Sequence, residues 1–334
     1  MFLLKNKFRI ALVADELTSV GLGGEAFCIP VTPKNFKYVL FLTRPDILFV
    51  ESAWFGHKRS WRYGIASYDD HPERSNTDLM RVIDYARSLN IPTIFWNKED
   101  GIHFNRFIES AKHFDHIFTV DENMIPHYRK QVLASVTTTA LPFCVQPSLH
   151  NFSGFNFQCR RACFMGSYSS HIHDRRRANQ HLLFDSAARK LGLTIYDRNS
   201  NRKSENYRFP KFEDLKVLPA VSYRDTSKIY KNFLVSLNVN TVEDSYSMYS
   251  RRLVEILGCG GIVVSTPAKS IDYHFKDFCH VVNNIEQADE IMERLRHNGP
   301  SPDDLARARA GAEAVARRHT WKIRLEQIRQ IAGR

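Results

Sequence analysis

The chain has 334 residues, of which 43% are hydrophobic and 25% are charged. This composition excludes collagen-like, disordered and disulfide-stapled classes, and the length favours two domains. The formal net charge of +11 favours an anionic partner, such as a phosphate-bearing ligand or an anionic membrane surface.

Several features that the sequence lacks narrow the class of protein further. No apolar run reaches the length of a membrane span, and the N-terminus leads into a strand-like segment without a signal-peptide cleavage pattern. The six cysteines have no metal-binding or disulfide spacing. No nucleic-acid-binding motif is present, so we expect no nucleic-acid partner. These features predict a cytoplasmic protein, and its charge is compatible with peripheral association with an anionic membrane.

Apolar segments alternate with segments of helical period, which predicts an α/β fold with parallel sheets covered by helices. The strands predicted in the first half are Arg9–Ala14, Asp46–Val50, Pro92–Trp96, His116–Val120 and Thr138–Leu141. The helices predicted between them are Lys34–Thr43, Ser75–Leu89, Phe104–His113 and Glu122–Val132.

A second α/β series follows a linker rich in Pro, Asn, Ser and Phe, Pro142–Gln158. Its predicted strands are Ala162–Met165, Leu193–Tyr196, Val217–Val221, Leu234–Val239, Ile262–Ser265 and His280–Val282. Its predicted helices are Asp174–Leu191, Asp225–Asn232, Ser250–Leu257, Ile285–Arg296, Asp303–Arg318 and Thr320–Ile331. We therefore expect two Rossmann-like, doubly wound domains, residues 1–150 and 151–318, facing a shared cleft at the carboxyl ends of their strands.

A glycine-rich segment follows the first predicted strand. The run from Gly21 to Ala26 formally matches the dinucleotide fingerprint G-x-G-x-x-G/A. Asp15–Val20 separate it from the strand, and the acidic residue expected about twenty positions on is absent. We interpret the segment as a flexible turn that brings Gly23 and Gly24 close to an acceptor in the cleft. A plain loop and a dinucleotide-dependent oxidoreductase are the alternatives.

Two arginines open the helix predicted at Ser250–Leu257. A helix N-terminus offers free N–H groups to an anion, and Arg251 and Arg252 add permanent cations suited to phosphate oxygens. Glu255 lies one turn further along and can accept hydrogen bonds from sugar hydroxyls. The spacing also allows a simple surface ion pair between Arg252 and Glu255.

This helix and other segments resemble the CgeB-like glycosyltransferases, which have the GT-B fold and are linked to cell-surface polysaccharide or teichoic-acid glycosylation. In the C-terminal half the similar segments are Phe164–Ser167, Ile195–Arg198, Leu237–Asn240 and His319–Arg324. In the N-terminal half they are Asp15–Thr18, Pro45–Trp54, Ile91–Asp100, Phe114–Asp121 and Leu141–Phe143.

The resemblance implies a transferase that needs neither a metal nor a cofactor. It implies a nucleoside-diphosphate sugar on the C-terminal domain and a glycan or glycoconjugate acceptor on the N-terminal domain, with the terminal helix at 319–334 packing back on the latter. On this resemblance Arg252 neutralises the leaving diphosphate and Glu255 binds the ribose. The other implied donor-binding residues are Gly166, Ser167, Arg176, Arg177, Tyr223, Ser247 and Arg251. A catalytically silent sugar-nucleotide-binding module is the remaining alternative.

The stereochemical course stays open, because Ser247 stands where many retaining members have a glutamate. An inverting transfer needs a base that takes the proton of the acceptor hydroxyl. Four carboxylates follow predicted strands of the N-terminal domain: Asp15, Glu51, Glu99 and Asp100. The adjacent pair Glu99 and Asp100 is favoured, because neighbouring like charges raise one pKa; capping of the next helix or pairing with Lys98 is the alternative.

Overall fold

The computed structural model describes residues 7–334. The chain divides into two compact units. The N-terminal unit comprises the described residues up to Gln146 together with Trp321–Arg334, and the C-terminal unit comprises Pro147–Thr320. Within the described residues each unit contains one six-stranded parallel sheet, which confirms the predicted α/β class.

The sheet of the N-terminal unit has the strand order β2-β1-β3-β4-β5-β6. Its strands are β1 (Arg9–Val13), β2 (Phe27–Pro30), β3 (Ile47–Glu51), β4 (Thr93–Asn97), β5 (His116–Thr119) and β6 (Thr137–Ala140). Its helices are α1 (Glu16–Leu22), α2 (Phe36–Thr43), α3 (Thr77–Ser88), α4 (Phe104–Ala111) and α5 (Ile125–Arg129). The central strands β3 and β4 are buried along their whole length, as expected for a parallel sheet covered on both faces.

The sheet of the C-terminal unit has the strand order β12-β11-β10-β7-β8-β9. Its strands are β7 (Cys159–Gly166), β8 (Leu193–Asp197), β9 (Leu215–Pro219), β10 (Phe233–Asn238), β11 (Val263–Ser265) and β12 (Cys279–Val281). Its helices are α6 (Asp174–Lys190), α7 (Thr226–Asn232), α8 (Arg251–Gly258), α9 (Lys269–His274), α10 (Ile285–Asn298) and α11 (Pro302–Arg318). The core lies between β7, β8 and β10 and the helices α6 and α10.

The C-terminal unit begins before the boundary predicted at residue 150. His150 accounts for the difference, because its ring lies 5.2 Å from that of Tyr223 and its Nε2 lies 2.9 Å from Oγ1 of Thr226. The predicted linker is thereby part of the C-terminal unit from Pro147 onward, and its Phe155 and Phe157 pack against the core of that unit.

The last helix, α12 (Trp321–Ile331), belongs to the N-terminal unit. The backbone N–H of Trp321 donates to the carbonyl of Val145 at 3.0 Å, and Nε of Arg324 donates to the carbonyl of Pro142 at 2.9 Å. The indole of Trp321 is buried and packs edge-on against Trp96, with 5.4 Å between ring centroids. None of the helices between residues 7 and 334 combines the length and the apolar composition that crossing a bilayer requires.

The glycine-rich segment is only in part the turn that the sequence predicted, because the turn is confined to residues 23–26. Gly21 lies inside α1, and β2 follows soon after. A Cβ on Gly21 would collide with the indole of Trp321. The glycine therefore serves the close approach of α1 to α12, and it does not close a phosphate-binding turn.

Candidate functional site

The strand order of the C-terminal unit creates a crevice at the carboxyl ends of β7 and β10. From β7 the chain proceeds through β8 and β9 on one side, and from β10 through β11 and β12 on the other. Ligands of doubly wound sheets bind where the strand order reverses in this way. Gly166 ends β7 and Asn238 ends β10, so these two residues mark the crevice.

Three guanidinium groups meet at this crevice, and we call Arg176, Arg198 and Arg252 the arginine cluster. Nε of Arg252 donates to the carbonyl of Met165 at 2.7 Å. Nη2 of Arg176 donates to the carbonyl of Ser167 at 3.1 Å, and Nη2 of Arg198 donates to Oγ of Ser167 at 3.2 Å. The cluster thus surrounds the residues that follow β7.

Two members of the cluster, Arg176 and Arg252, have no carboxylate partner in the described part of the chain, since no carboxylate oxygen of residues 7–334 lies within 4.0 Å of either guanidinium. Burial, together with repulsion from Arg198, lowers the pKa of Arg252 to about 10. Burial and repulsion from Arg252 and Arg198 lower the pKa of Arg176 to about 10 as well. A bound polyanion would relieve the repulsion among the three guanidinium groups.

The backbone at the cluster requires a glycine. A Cβ on Gly166 would lie 2.7 Å from the ring of Phe164 and 2.8 Å from Nη2 of Arg252. The guanidinium of Arg252 also lies over the Phe164 ring, 4.3 Å from its centroid, which fixes its plane. Gly166 therefore lets Arg252 reach across the end of β7.

Arg251 and Glu255 form the second element of the site, on α8. Glu255 is 2% exposed, and its Oε1 lies 2.8 Å from Nε of Arg251. The hydroxyl of Tyr230 donates to Oε2 of Glu255 at 3.4 Å, and the guanidinium of Arg251 lies 5.5 Å from the ring centroid of Tyr223. The alternative interpretation, an ion pair between Arg252 and Glu255, is therefore wrong: the partner of Glu255 is Arg251, because Arg252 turns toward β7.

Arg177, an implied donor-binding residue, contacts the start of α6 and the loop before it. Nη2 of Arg177 donates to Asp174 at 2.7 Å, and Nη1 donates to the carbonyl of Ser170 at 2.7 Å. Arg177 thus stabilises the start of α6. Ser247 is buried in the loop between β10 and α8.

The N-terminal unit has its own strand-order reversal, at β1 and β3, and a buried ionic network lies there. Glu51 is fully buried and accepts hydrogen bonds from the backbone of Asp15 at 2.5 Å and from the hydroxyl of Thr18. Nζ of Lys98 lies 3.0 Å from Glu51 and 3.5 Å from Asp15. Burial alone would lower the pKa of Lys98, but the carboxylates around it outweigh burial and raise it.

Asp15 is engaged by the backbone as well. Its two carboxylate oxygens accept hydrogen bonds from the N–H groups of Trp54, Phe55 and Gly56, at 3.1, 3.1 and 2.7 Å. Its lone pairs, like those of Glu51, are therefore already used by protein donors, and the pair holds the loop after β3 in place.

The adjacent carboxylates Glu99 and Asp100 have different surroundings. Asp100 is 1% exposed and accepts hydrogen bonds from Asn97 at 2.7 Å and from the hydroxyl of Tyr128 at 2.8 Å. The side chain of Glu99 is half-buried and, among the described residues, forms no hydrogen bond or ion pair. Glu99 is thus the one of the four candidate carboxylates whose oxygens are uncommitted within the described chain.

Burial raises the pKa of Asp100 to about 7, against hydrogen bonds from Thr119 and Tyr128 that lower it. The expected cause, repulsion between Glu99 and Asp100, is only a minor contribution. The raised pKa comes from desolvation of a side chain that is closed off from solvent.

The pKa of Asp100 leads to a pH-dependent stability. Because the folded protein holds this proton more tightly than the unfolded chain, the free energy of unfolding should fall as the pH rises from about 4 to about 7. We expect Asp100→Asn to lack this contribution and to gain a few kcal/mol relative to the wild type over that interval. Urea unfolding of both proteins across this pH range measures the difference. A difference that does not change with pH would refute the shifted pKa.

The two glycines expected near the acceptor have different neighbours. Gly23 lines a cavity of about 280 Å³ together with Ser19, Cys28 and His57. Gly24 packs directly against Gln146, whose Nε2 donates to the carbonyl of Gly21 at 2.9 Å. Gly23 thus lines open volume, whereas a side chain at Gly24 would collide with Gln146.

Two residues of these sites, Arg198 and Lys98, were not predicted from the sequence as functional candidates. Arg198 directly follows β8 and Lys98 directly follows β4. Both therefore carry the signal that selected the carboxylates, a polar side chain at the carboxyl end of a buried parallel strand.

Comparisons with known proteins agree with this geometry. Residues 175–330 match a protein-family model described as glycosyl transferase-like. No curated protein matches the sequence. Among solved structures, Anabaena Alr3699/HepE in complex with UDP and glucose has 12% identity and a TM-score of 0.54, covering 97% of this chain and 91% of its own.

Two further structures share the fold. A glycosyltransferase from Rickettsia africae ESF-5 has 11% identity and a TM-score of 0.57, with 98% of each chain covered. A mutant of S. aureus TarM in complex with Fondaparinux, alpha-GlcNAc-glycerol and UDP has 12% identity and a TM-score of 0.52, covering 90% of this chain and 59% of its own. The fold is therefore GT-B, and most of the C-terminal unit is similar to the glycosyl transferase-like family.

Proposed function

We propose that the protein is a glycosyltransferase, which transfers a sugar from a nucleoside-diphosphate donor to a hydroxyl of a glycan or glycoconjugate acceptor without a metal ion. The observation that carries the proposal is the arginine cluster. Its guanidinium groups are close to one another, and those of Arg176 and Arg252 are partly desolvated and without a carboxylate partner among residues 7–334. A diphosphate supplies the charge and the planar oxygen pairs that such groups bind best.

The donor's nucleoside is assigned to α8 and its neighbours. Glu255 has one long hydrogen bond and one ion pair, which leaves lone pairs for the ribose hydroxyls. Tyr223 and Arg251 lie beside it and are proposed to contact the base. HepE with UDP and glucose, and TarM with UDP, support UDP as the first nucleotide to test.

The acceptor is proposed to be of the surface-polysaccharide or teichoic-acid type. The resemblance to CgeB-like glycosyltransferases and the alpha-GlcNAc-glycerol in the TarM structure support this class. We propose that the protein acts in the cytoplasm, where reducing conditions suit its six free cysteines.

In the proposed reaction the acceptor oxygen forms a bond to the anomeric carbon while the bond from that carbon to the diphosphate oxygen breaks. The electron pair leaves with the diphosphate, whose added charge is stabilised by the arginine cluster. The acceptor hydroxyl gives its proton to Glu99, which we propose as the general base of an inverting transfer.

Ligand-dependent thermal unfolding and donor turnover test the proposal. We expect UDP to raise the melting temperature, NAD and NADP to leave it unchanged, and a UDP-sugar to be turned over in the presence of EDTA. Stabilisation by the dinucleotides alone would instead favour an oxidoreductase. Donor binding without any turnover would favour a silent binding module.

Replacing Glu99 by glutamine tests the base. Because glutamine cannot accept the proton, we expect kcat for UDP release from the donor to fall by roughly 100-fold or more, with unchanged affinity for UDP. Glu109→Gln, on the outer surface of α4, is the matched control and should have wild-type turnover. Wild-type kcat in Glu99→Gln would show that another group, such as an oxygen of the leaving diphosphate, takes the proton.

A further inference from the structure

Helix α2 of the N-terminal unit is apolar on its solvent face as well as on its core face. Phe36 and Leu40 are buried in the core. On the opposite side Tyr38, Phe41 and Leu42 are 72%, 53% and 72% exposed. Surface helices normally place polar residues on this side, so an exposed apolar face marks a contact with another apolar phase. We call these three residues the α2 face.

Basic side chains lie at both ends of α2, next to the α2 face. Lys34 and Lys37 are exposed at its start. At its end Arg44 lies 5.1 Å from the ring centroid of Phe41, and the guanidinium of Arg9 donates to the carbonyl of Thr43 at 2.8 Å. Residues 34–44 contain no aspartate or glutamate. Among the described residues none of these four cations forms an ion pair.

The surface therefore joins large apolar side chains to basic groups that form no ion pair within residues 7–334. A soluble protein partner would need both an apolar surface and acidic groups to cover these residues. The interface of an anionic bilayer supplies both kinds of contact, because its phosphates lie directly above the acyl chains. Aromatic and leucine side chains at this depth insert below the phosphates, while lysine and arginine extend toward them.

We propose that the α2 face docks the protein on an anionic lipid bilayer. Tyr38, Phe41 and Leu42 insert at the boundary of headgroups and acyl chains, and Arg9, Lys34, Lys37 and Arg44 contact the lipid phosphates. This goes beyond the transfer reaction, and it does not depend on the identity of the donor.

Co-sedimentation of the full chain with vesicles tests the docking surface. We expect binding to phosphatidylcholine vesicles that contain phosphatidylglycerol, and much weaker binding to phosphatidylcholine alone. Phe41→Ser/Leu42→Ser should reduce the partition coefficient by roughly tenfold or more, since two inserted side chains are lost. Leu133→Ser removes a similarly exposed leucine of the same unit and should bind as the wild type does.

Charge and fold are tested separately. Lys34→Gln/Lys37→Gln should weaken binding to the anionic vesicles, and added salt should do the same. The melting temperature and its rise with UDP should be unchanged in all these variants, so failure of the docking is distinguishable from failure of the donor site.

Three results would overturn the proposal. The first is no sedimentation with anionic vesicles, and the second is an equal loss of binding in Leu133→Ser. The third is concentration-dependent self-association, by analytical ultracentrifugation, that Phe41→Ser/Leu42→Ser abolishes; this would show that a second copy of the chain covers the α2 face.

Discussion

Replacing Arg252 by alanine is expected to lower kcat/KM for the donor by roughly 30- to 150-fold, equivalent to about 2 to 3 kcal/mol of transition-state stabilisation. Arg252 is held at the end of β7 by its bond to the carbonyl of Met165 and by the ring of Phe164. Its charge is therefore already in place when negative charge develops on the leaving diphosphate, and no reorganisation is needed. Steady-state kinetics with a UDP-sugar measure the effect.

The matched control is Arg177→Ala, which removes an arginine next in sequence to Arg176. Because Arg177 is tied to Asp174 and lies outside the cluster, its loss should leave kcat/KM within about twofold of the wild type. Arg252→Lys keeps the charge but loses the planar pair of donors, so it should recover only part of the activity. Equal losses in Arg252→Ala and Arg177→Ala would mean that the effect is general electrostatics and that the cluster is not the diphosphate site.

Most of the fold follows from local sequence pattern. The buried strands such as β3, β4 and β10 are short apolar runs between helical segments, and their assignment depends only on neighbouring residues. The segment from α1 to β2 could not be assigned in this way. Its helix contains Gly21, which is tolerated because the indole of Trp321, far along the chain, occupies the space of a side chain. Packing between distant segments overrides the local preference for a turn.

For the candidate site, too, the positions of some residues follow from local sequence, whereas their contacts depend on packing between distant segments. Residues at strand ends, such as Asp15 and Glu51, were predictable because every parallel strand directs its carboxyl end to one edge of the sheet. Which charged side chains form ion pairs with one another could not be predicted in this way. Spacings of three and four residues both bring an arginine to Glu255, and only the position of β7 decides that Arg252 turns away. Likewise, Glu99 and Asp100 are equivalent in sequence, but Tyr128 and Asn97 enclose only the second.

The ion pair on α8 leads to the second large expected effect. Glu255→Ala should lower the free energy of unfolding by about 2 to 3 kcal/mol, because it leaves the guanidinium of Arg251 without its counter-charge; complete burial of both groups would cost more. The side chain of Arg251 is 29% exposed, so water recovers part of the loss. Arg251→Met/Glu255→Met should restore most of the stability, since it removes both charges and retains the apolar volume.

A loss of stability does not show whether Glu255 only pairs with Arg251 or also binds the ribose. The affinity for UDP and for an analogue without ribose hydroxyls distinguishes these two roles. If Glu255 accepts hydrogen bonds from the ribose, the wild type should bind UDP roughly tenfold or more tightly than a UDP analogue that lacks both ribose hydroxyls. Glu255→Ala should bind the two equally, whereas Arg251→Met should still prefer UDP, because the carboxylate remains. Isothermal titration calorimetry below the melting temperature of each variant measures the four affinities. A preference for UDP that survives in Glu255→Ala would assign the carboxylate to the support of Arg251 alone, and the ribose would then have to be bound by another residue of the crevice.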